Sequence, residues 1–188
     1  EACKKMGEGE VLQLYYNGNP SMSEAEYLKI VEYKTAGLIA AACRMGAILA
    51  DAPEAQQDAL FRFGRHLGIA FQVADDTLDY TANGERLGKT LGQDLRQGKA
   101  TLPMLHLLHH CSEQDRQIIV DRMETRTLSE EDLGRFIRLM EELGSITYAM
   151  DCARSYVAAA QRDLNQFEDS TAKRALSVAA DYMVTRDR

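Results

Sequence analysis

At 188 residues, with 45% hydrophobic and 27% charged side chains, the chain has the size and composition of a globular protein with a substantial core. A formal net charge of −7 and the lack of any dense basic tract exclude a nucleic-acid footprint. Three prolines, no tryptophan and abundant alanine and leucine lean the composition toward helix. In chain order, Glu1 to Tyr16 reads as a first helix, stopped by the turn residues Asn17-Gly18-Asn19-Pro20. Ser23-Glu24-Ala25-Glu26 has the form of a capping box and opens a second helix, which the apolar spacing carries to Ala50. From Ala36 onward that helix is apolar nearly all round, which places it at the bundle centre or at a subunit interface. Asp51-Ala52-Pro53 breaks it, and a third long helix is expected from about Glu54 to Tyr80. A loop rich in glycine and lysine then runs to Ala100, and Pro103 suits the first turn of a helix ending near Cys111. Two shorter helices follow, the second opened by Ser129-Glu130-Glu131-Asp132 with Leu128 and Leu133 as a hydrophobic staple. Ser145 to Phe167 and Thr171 to Val184 complete the set, and no stretch alternates apolar and polar residues as a strand would. The expectation is an all-α bundle forming one domain over 1–188.

Cys3, Cys43, Cys111 and Cys152 are scattered without a C-x-x-C pair, which favours reduced, mostly buried thiols and a cytoplasmic location. No signal peptide is recognisable, and the most apolar stretch, Thr35 to Ala50 with Arg44 near its middle, is too short for a transmembrane segment. The chain opens without methionine inside an amphipathic helix, as the C-terminal portion of a longer protein would.

The segment Phe71-Gln72-Val73-Ala74-Asp75-Asp76-Thr77-Leu78-Asp79-Tyr80 sets three carboxylates into an otherwise buried helix. On a 3.6-residue period Asp75 and Asp79 stand one turn apart with Asp76 beside them, while Leu67, Phe71, Ala74 and Leu78 pin the apolar side. Like charges crowded near a helix C-terminus repel each other and oppose the helix dipole, a cost that a bound cation removes. Magnesium suits the pattern, because it is commonly held by one or two carboxylates plus substrate phosphates. A calcium loop is excluded, since Thr77 and Tyr80 fall where that loop needs oxygen ligands and glycine. A plain solvated helix face is the structural alternative.

In Gly88-Lys89-Thr90-Leu91-Gly92-Gln93-Asp94-Leu95-Arg96-Gln97-Gly98-Lys99-Ala100-Thr101-Leu102-Pro103, the glycine spacing departs from the nucleotide-binding loop. No strand precedes it, and Ala100 replaces the metal-binding hydroxyl. Lys89 and Lys99 read instead as point charges for a metal-bound phosphate, with ordinary loop lysines as the alternative. Gln72 shares the aspartate face, and Lys34-Thr35 marks where the second helix turns apolar, so Lys34 must reach solvent or an anion. His106 and His110 are spaced for a metal, but the glutamate of H-E-x-x-H is missing, and a polar helix edge is expected.

Lys34-Thr35, F-Q-V-A-D-D-T-L-D-Y and G-K-T-L-G-Q-D-L-R-Q-G-K-A-T-L-P together resemble the trans-isoprenyl diphosphate synthases, over essentially the whole chain and nearest to the bacterial octaprenyl branch. The resemblance implies an all-helical isoprenoid synthase bundle around a central cavity with two aspartate-rich motifs at its mouth. Asp75, Asp76 and Asp79 match the second motif, the implied Mg2+ site. Lys34, Thr35, Gln72 and Lys89 match positions that contact the allylic diphosphate, and Lys99 a further diphosphate-contacting lysine. Lys34, Thr35 and Gln72 are thereby the implied catalytic residues. The first aspartate-rich motif and the upstream basic residues for isopentenyl diphosphate are absent from this chain. The implied reaction condenses isopentenyl diphosphate with an allylic prenyl diphosphate to make a medium or long all-trans polyprenyl diphosphate. The resemblance also implies a homodimer through the first helix and residues 36–50. A non-catalytic partner subunit and a terpene cyclase are the competing readings.

Overall fold

The computed structural model describes residues 1–81 and 91–185, which form an all-α assembly without a strand among them. Helix α1 covers Ala2–Tyr16 and α2 covers Glu24–Val31; α2 passes without a break through a π-helical turn, Glu32–Ala36, into α3, Gly37–Leu49. The central helix α4 runs Glu54–Leu78, followed by the short α5, Gln93–Arg96. Then come α6 (Leu102–His110), α7 (Glu113–Thr125), α8 (Glu130–Glu142), α9 (Ser145–Asp163, with a 3-10 turn Leu164–Gln166) and α10 (Thr171–Thr185).

Several helix starts are written in single side chains. Ser23 Oγ accepts from the Glu26 N–H at 3.3 Å while Glu26 Oε2 accepts from the Ser23 N–H at 2.7 Å, supplying bonds that the first turn cannot make internally. Ser129 and Asp132 repeat the exchange at α8, and Leu128 and Leu133 both join the main core. Pro103 sits in the first turn of α6, as expected.

Helix α4 is the hub, packing most extensively on α3 and α9. Against α9 and α10 it buries Phe63 and Ala70 with Val157, Ala160 and Leu164. Ile69, Val73 and Ala74 join the larger core with Tyr27, Ile30, Val31, Leu107, Phe136 and Met140. Against α3 the contact is nearly backbone to backbone. A Cβ on Gly64 would lie 2.8 Å from the Ala40 Cα, and one on Gly68 would lie 2.5 Å from the Ala36 Cα. Gly9 of α1 makes the same close approach, since a Cβ there would stand 2.6 Å from the Lys34 nitrogen.

Two expectations change. Helix α3 is not buried all round: Ala36, Ala40 and Ala47 face the bundle, while Met45 and Leu49 are 59% and 83% exposed, and Val11, Leu14 and Tyr15 of α1 are exposed as well. The thiols are less sheltered than expected, because Cys3 is exposed and the other three are half-buried; all four are free. No helix of the described residues is long and apolar enough to cross a membrane.

Gly68→Ala should destabilise the protein. Overpacking the Ala36 contact costs about 1–3 kcal/mol, against at most about 1 kcal/mol regained in helix propensity. Gly134→Ala in α8 meets only the Arg138 guanidinium at ordinary distance, 3.5 Å, and should stabilise. Urea unfolding of both variants checks the pair, and equal midpoints would show that α3 and α4 are free to part.

Candidate functional site

The π-helical turn decides where the site forms. Such a turn widens the helix and shifts the faces that follow it, and single turns of this kind are frequent at functional positions. Before it, Tyr27, Ile30 and Val31 point into the core; at its last residue and beyond, Ala36 and Ala40 do. Lys34 and Thr35 lie within the turn itself and line the wall of a cavity of about 270 Å³. Gln72, Asp75 and Asp76 of α4 line the facing wall, and Asp94, Lys99 and Thr101 from the segment around α5 close the rim.

The close Gly68–Ala36 approach puts the two walls within hydrogen-bonding distance. Thr35 Oγ1 donates to Gln72 Oε1 at 2.9 Å, and Gln72 Nε2 donates to Asp76 Oδ1 at 2.8 Å. The buried Tyr27 hydroxyl donates to the other oxygen, Asp76 Oδ2, at 2.7 Å. Asp76 is only 8% exposed, and burial pushes its carboxyl up to about 7. The two donors pull the other way, but the negative charges of Asp94 and Asp75 add to the rise.

The aspartates do not act as a block. Asp75 and Asp76 line the cavity, whereas Asp79 stands just past the end of α4 and is not among the lining residues. Its Oδ2 accepts from the Asp94 N–H at 2.9 Å and its carbonyl accepts from the Gly92 N–H at 3.0 Å, so it ties α4 to the start of α5. Burial raises the Asp79 carboxyl too. Among the described residues no three acidic, histidine or cysteine side chains already converge on one metal-sized point.

Lys99 Nζ donates to Asp94 Oδ1 at 2.6 Å, and the Gly98 carbonyl before it accepts from the Gly18 N–H at 2.8 Å. Gly98 holds φ +77°, and a Cβ there would also press on the Asn17 amide at 2.9 Å. The turn after α1 thus sets the start of Lys99. Lys34 Nζ meets Gln13 Oε1 at 2.6 Å and Glu10 Oε1 at 3.3 Å. Lys89 lies outside the described residues. Of the expected site residues, the fold therefore gathers Lys34, Thr35, Gln72, Asp75, Asp76 and Lys99 around one cavity.

Sequence reasoning missed Tyr27, Gln13 and Asp94. Asp94 lies in the loop rich in glycine and lysine, where a carboxylate two residues after Gly92 was a usable signal. Tyr27 read only as part of an apolar stripe. The histidines are not a plain polar edge. His106 is half-buried, its ring stacks on His110 at 4.0 Å and on Tyr148 at 4.4 Å, and Nδ1 lies 3.0 Å from Ser145 Oγ.

The comparisons with known proteins point the same way. Residues 1–140 match the family model described as polyprenyl synthetase. The whole chain is 38% identical to 56% of the octaprenyl diphosphate synthase of Haemophilus influenzae. It is 35% identical to 56% of the geranylgeranyl diphosphate synthase of Methanosarcina mazei. A Caulobacter crescentus polyprenyl synthase, solved in complex with calcium and isoprenyl diphosphate, superimposes with a TM-score of 0.93 at 38% identity, over 98% of this chain and 56% of that one. A decaprenyl diphosphate synthase from Rhodobacter capsulatus gives 0.92 at 35% identity, over 100% of this chain and 57% of that one. The chain spans a little over half the length of the curated relatives it matches. With its bundle, its aspartate-lined cavity and its sequence all agreeing, the chain belongs to the polyprenyl synthetase family.

Proposed function

We propose that this chain carries the allylic-diphosphate half of the active site of a magnesium-dependent trans-polyprenyl diphosphate synthase. The observation that carries the reading is the charge balance of the cavity. Among the described residues, Asp75, Asp76 and Asp94 line one cavity with the ammonium groups of Lys34 and Lys99, and Lys99 is paired with Asp94. Carboxylates on the cavity wall repel a diphosphate anion, and divalent cations that enter with it offset that repulsion. Hard carboxylate oxygens, with water and phosphate completing an octahedron, are the donors that magnesium prefers. The raised Asp76 carboxyl fits as well, because a cation beside it favours the ionised form that burial opposes.

In this reading Asp75 and Asp76 would hold the magnesium, and Asp79, placed in the metal set by the resemblance, keeps Asp94 and the start of α5 in position. Magnesium supplies neutralisation of the diphosphate oxygens, which lowers the barrier to their departure from the allylic carbon. Lys34 and Lys99 donate to the same leaving group, whose charge grows as the C–O bond breaks, and such preorganised stabilisation is a large catalytic contribution. Lys89 is assigned with them by the resemblance. Thr35 and Gln72, hydrogen-bonded to each other, orient the reacting end of the allylic substrate, which ionises to a carbocation as the diphosphate leaves. Isopentenyl diphosphate attacks that carbocation, and loss of a proton yields a linear product one five-carbon unit longer. The Caulobacter neighbour with a divalent cation and isoprenyl diphosphate supports the substrate class. Incubating the full-length protein with magnesium, isopentenyl diphosphate and an allylic diphosphate tests the reading. Longer linear products bear it out; no product points to a non-catalytic partner subunit.

We also propose a homodimer across the face that α1 and α3 share. The two helices pack on each other; α1 exposes Val11, Leu14 and Tyr15, and α3 exposes Met45 and Leu49. Clusters of exposed large apolar side chains mark an interface. Light scattering should give a dimer mass, reduced to a monomer by the double substitution Tyr15→Glu and Leu49→Glu.

Asp75→Ala or Asp76→Ala should lower turnover by at least ~10²-fold, the scale of losing a key electrostatic group, and wild-type rates from either would refute the metal assignment. The magnesium-free protein should gain stability as pH falls from about 8 toward 5. The Asp76 carboxyl titrates near 7 when folded and near its ordinary 3.8 when unfolded, so the folded state binds the extra proton between those values. Magnesium favours the ionised carboxyl, so its gain in Tm should be larger at pH 8 than at pH 5. Thermal melts with magnesium or a chelator at both pH values check the sign.

A further inference from the structure

The contact at the cavity rim that no motif announces is the one between α1 and the π-helical turn. Lys34 Nζ lies 2.6 Å from Gln13 Oε1, and Gln13 itself lines the cavity. An ammonium group only donates hydrogen bonds, so the oxygen of the Gln13 amide must face it. That fixes the amide orientation and turns the Nε2 group, with its two N–H donors, away from Lys34. A neutral amide here is chemically specific. It orients the ammonium without cancelling its charge, whereas a carboxylate at the same point would neutralise it. Glu10, the other partner of Lys34, is 3.3 Å away with its side chain 54% exposed, so solvent screens much of its effect. Gly9 gives the pair its fixed geometry, because its missing Cβ lets α1 lie against the Lys34 backbone.

We infer that Gln13 is a substrate-binding and positioning residue: its Oε1 aims the Lys34 ammonium into the cavity, and its Nε2 donates to an oxygen of the same diphosphate. The inference rests on the proposed diphosphate site and names a residue of α1 as part of it. It makes the diphosphate wall a composite of two helices.

Binding of inorganic pyrophosphate with magnesium to the full-length protein, measured by calorimetry beside Tm, tests it. Lys34→Met reports on the site itself and should weaken binding at least ~10-fold, the scale of a lost charged hydrogen bond. Gln13→Leu should weaken binding by about the same factor. Gln13→Glu is isosteric and can pair with Lys34, so Tm should hold or rise while affinity falls ~10-fold or more. Opposite signs in the two readouts are not produced by a merely structural contact. Gln13→Glu binding at wild-type strength, or losing Tm and affinity together, overturns the inference and leaves the site reading intact. If the wild type takes no pyrophosphate, or Lys34→Met binds unaltered, the site reading itself fails.

Discussion

Everything at the cavity depends on how closely two helix backbones approach. Gly64 and Gly68 of α4 lie against Ala40 and Ala36, with no room for a β-carbon between them. Small residues one turn apart on both helices make that contact, and it sets the distance between the cavity walls. Only at that distance can Thr35 reach Gln72, and Gln72 in turn fix Asp76. A wider seam would release the Gln72 amide from Thr35, and with it the orientation that presents Nε2 to the buried Asp76 carboxyl.

The same seam explains why an unfavourable charge is tolerated. Burial opposes ionisation of Asp76, and the neighbouring carboxylates add to that opposition. The fold answers with two neutral donors, Tyr27 and Gln72, instead of a lysine or arginine. A permanent cation at that point would silence the carboxylate. Two neutral donors orient both oxygens and leave the group responsive to a mobile cation. Arg65 with Glu32 and Arg62 with Asp163 form ion pairs away from the cavity.

The rim is assembled from turns distant in sequence. Asp79 caps the approach to α5, the Gly18 N–H seats the Gly98 carbonyl, and Lys99 closes on Asp94. Helix α1 carries Gln13 on its inner side and exposes Val11, Leu14 and Tyr15, and the π-helical turn that carries Lys34 leads into α3, which exposes Met45 and Leu49. One pair of helices thereby joins the diphosphate wall to the surface proposed as a dimer contact.

Local patterns were enough to place the helices, because caps such as Ser23 with Glu26 and breakers such as Pro53 act within one turn of themselves. The motif residues were legible too: Asp75, Asp76, Gln72 and Lys34-Thr35 are each conspicuous in an apolar neighbourhood. The short α5 was hidden, since four residues between two glycines carry no periodicity. The tertiary structure alone decided the π-helical turn, the departure of Asp79 from the other aspartates, and the recruitment of Tyr27, Gln13 and Asp94. Each of these depends on contacts that span the sequence, 49 residues from Tyr27 to Asp76, 21 from Gln13 to Lys34 and 15 from Asp79 to Asp94. Periodicity reports which side of a helix is apolar; it says nothing of which polar atom on another helix will arrive within hydrogen-bonding distance.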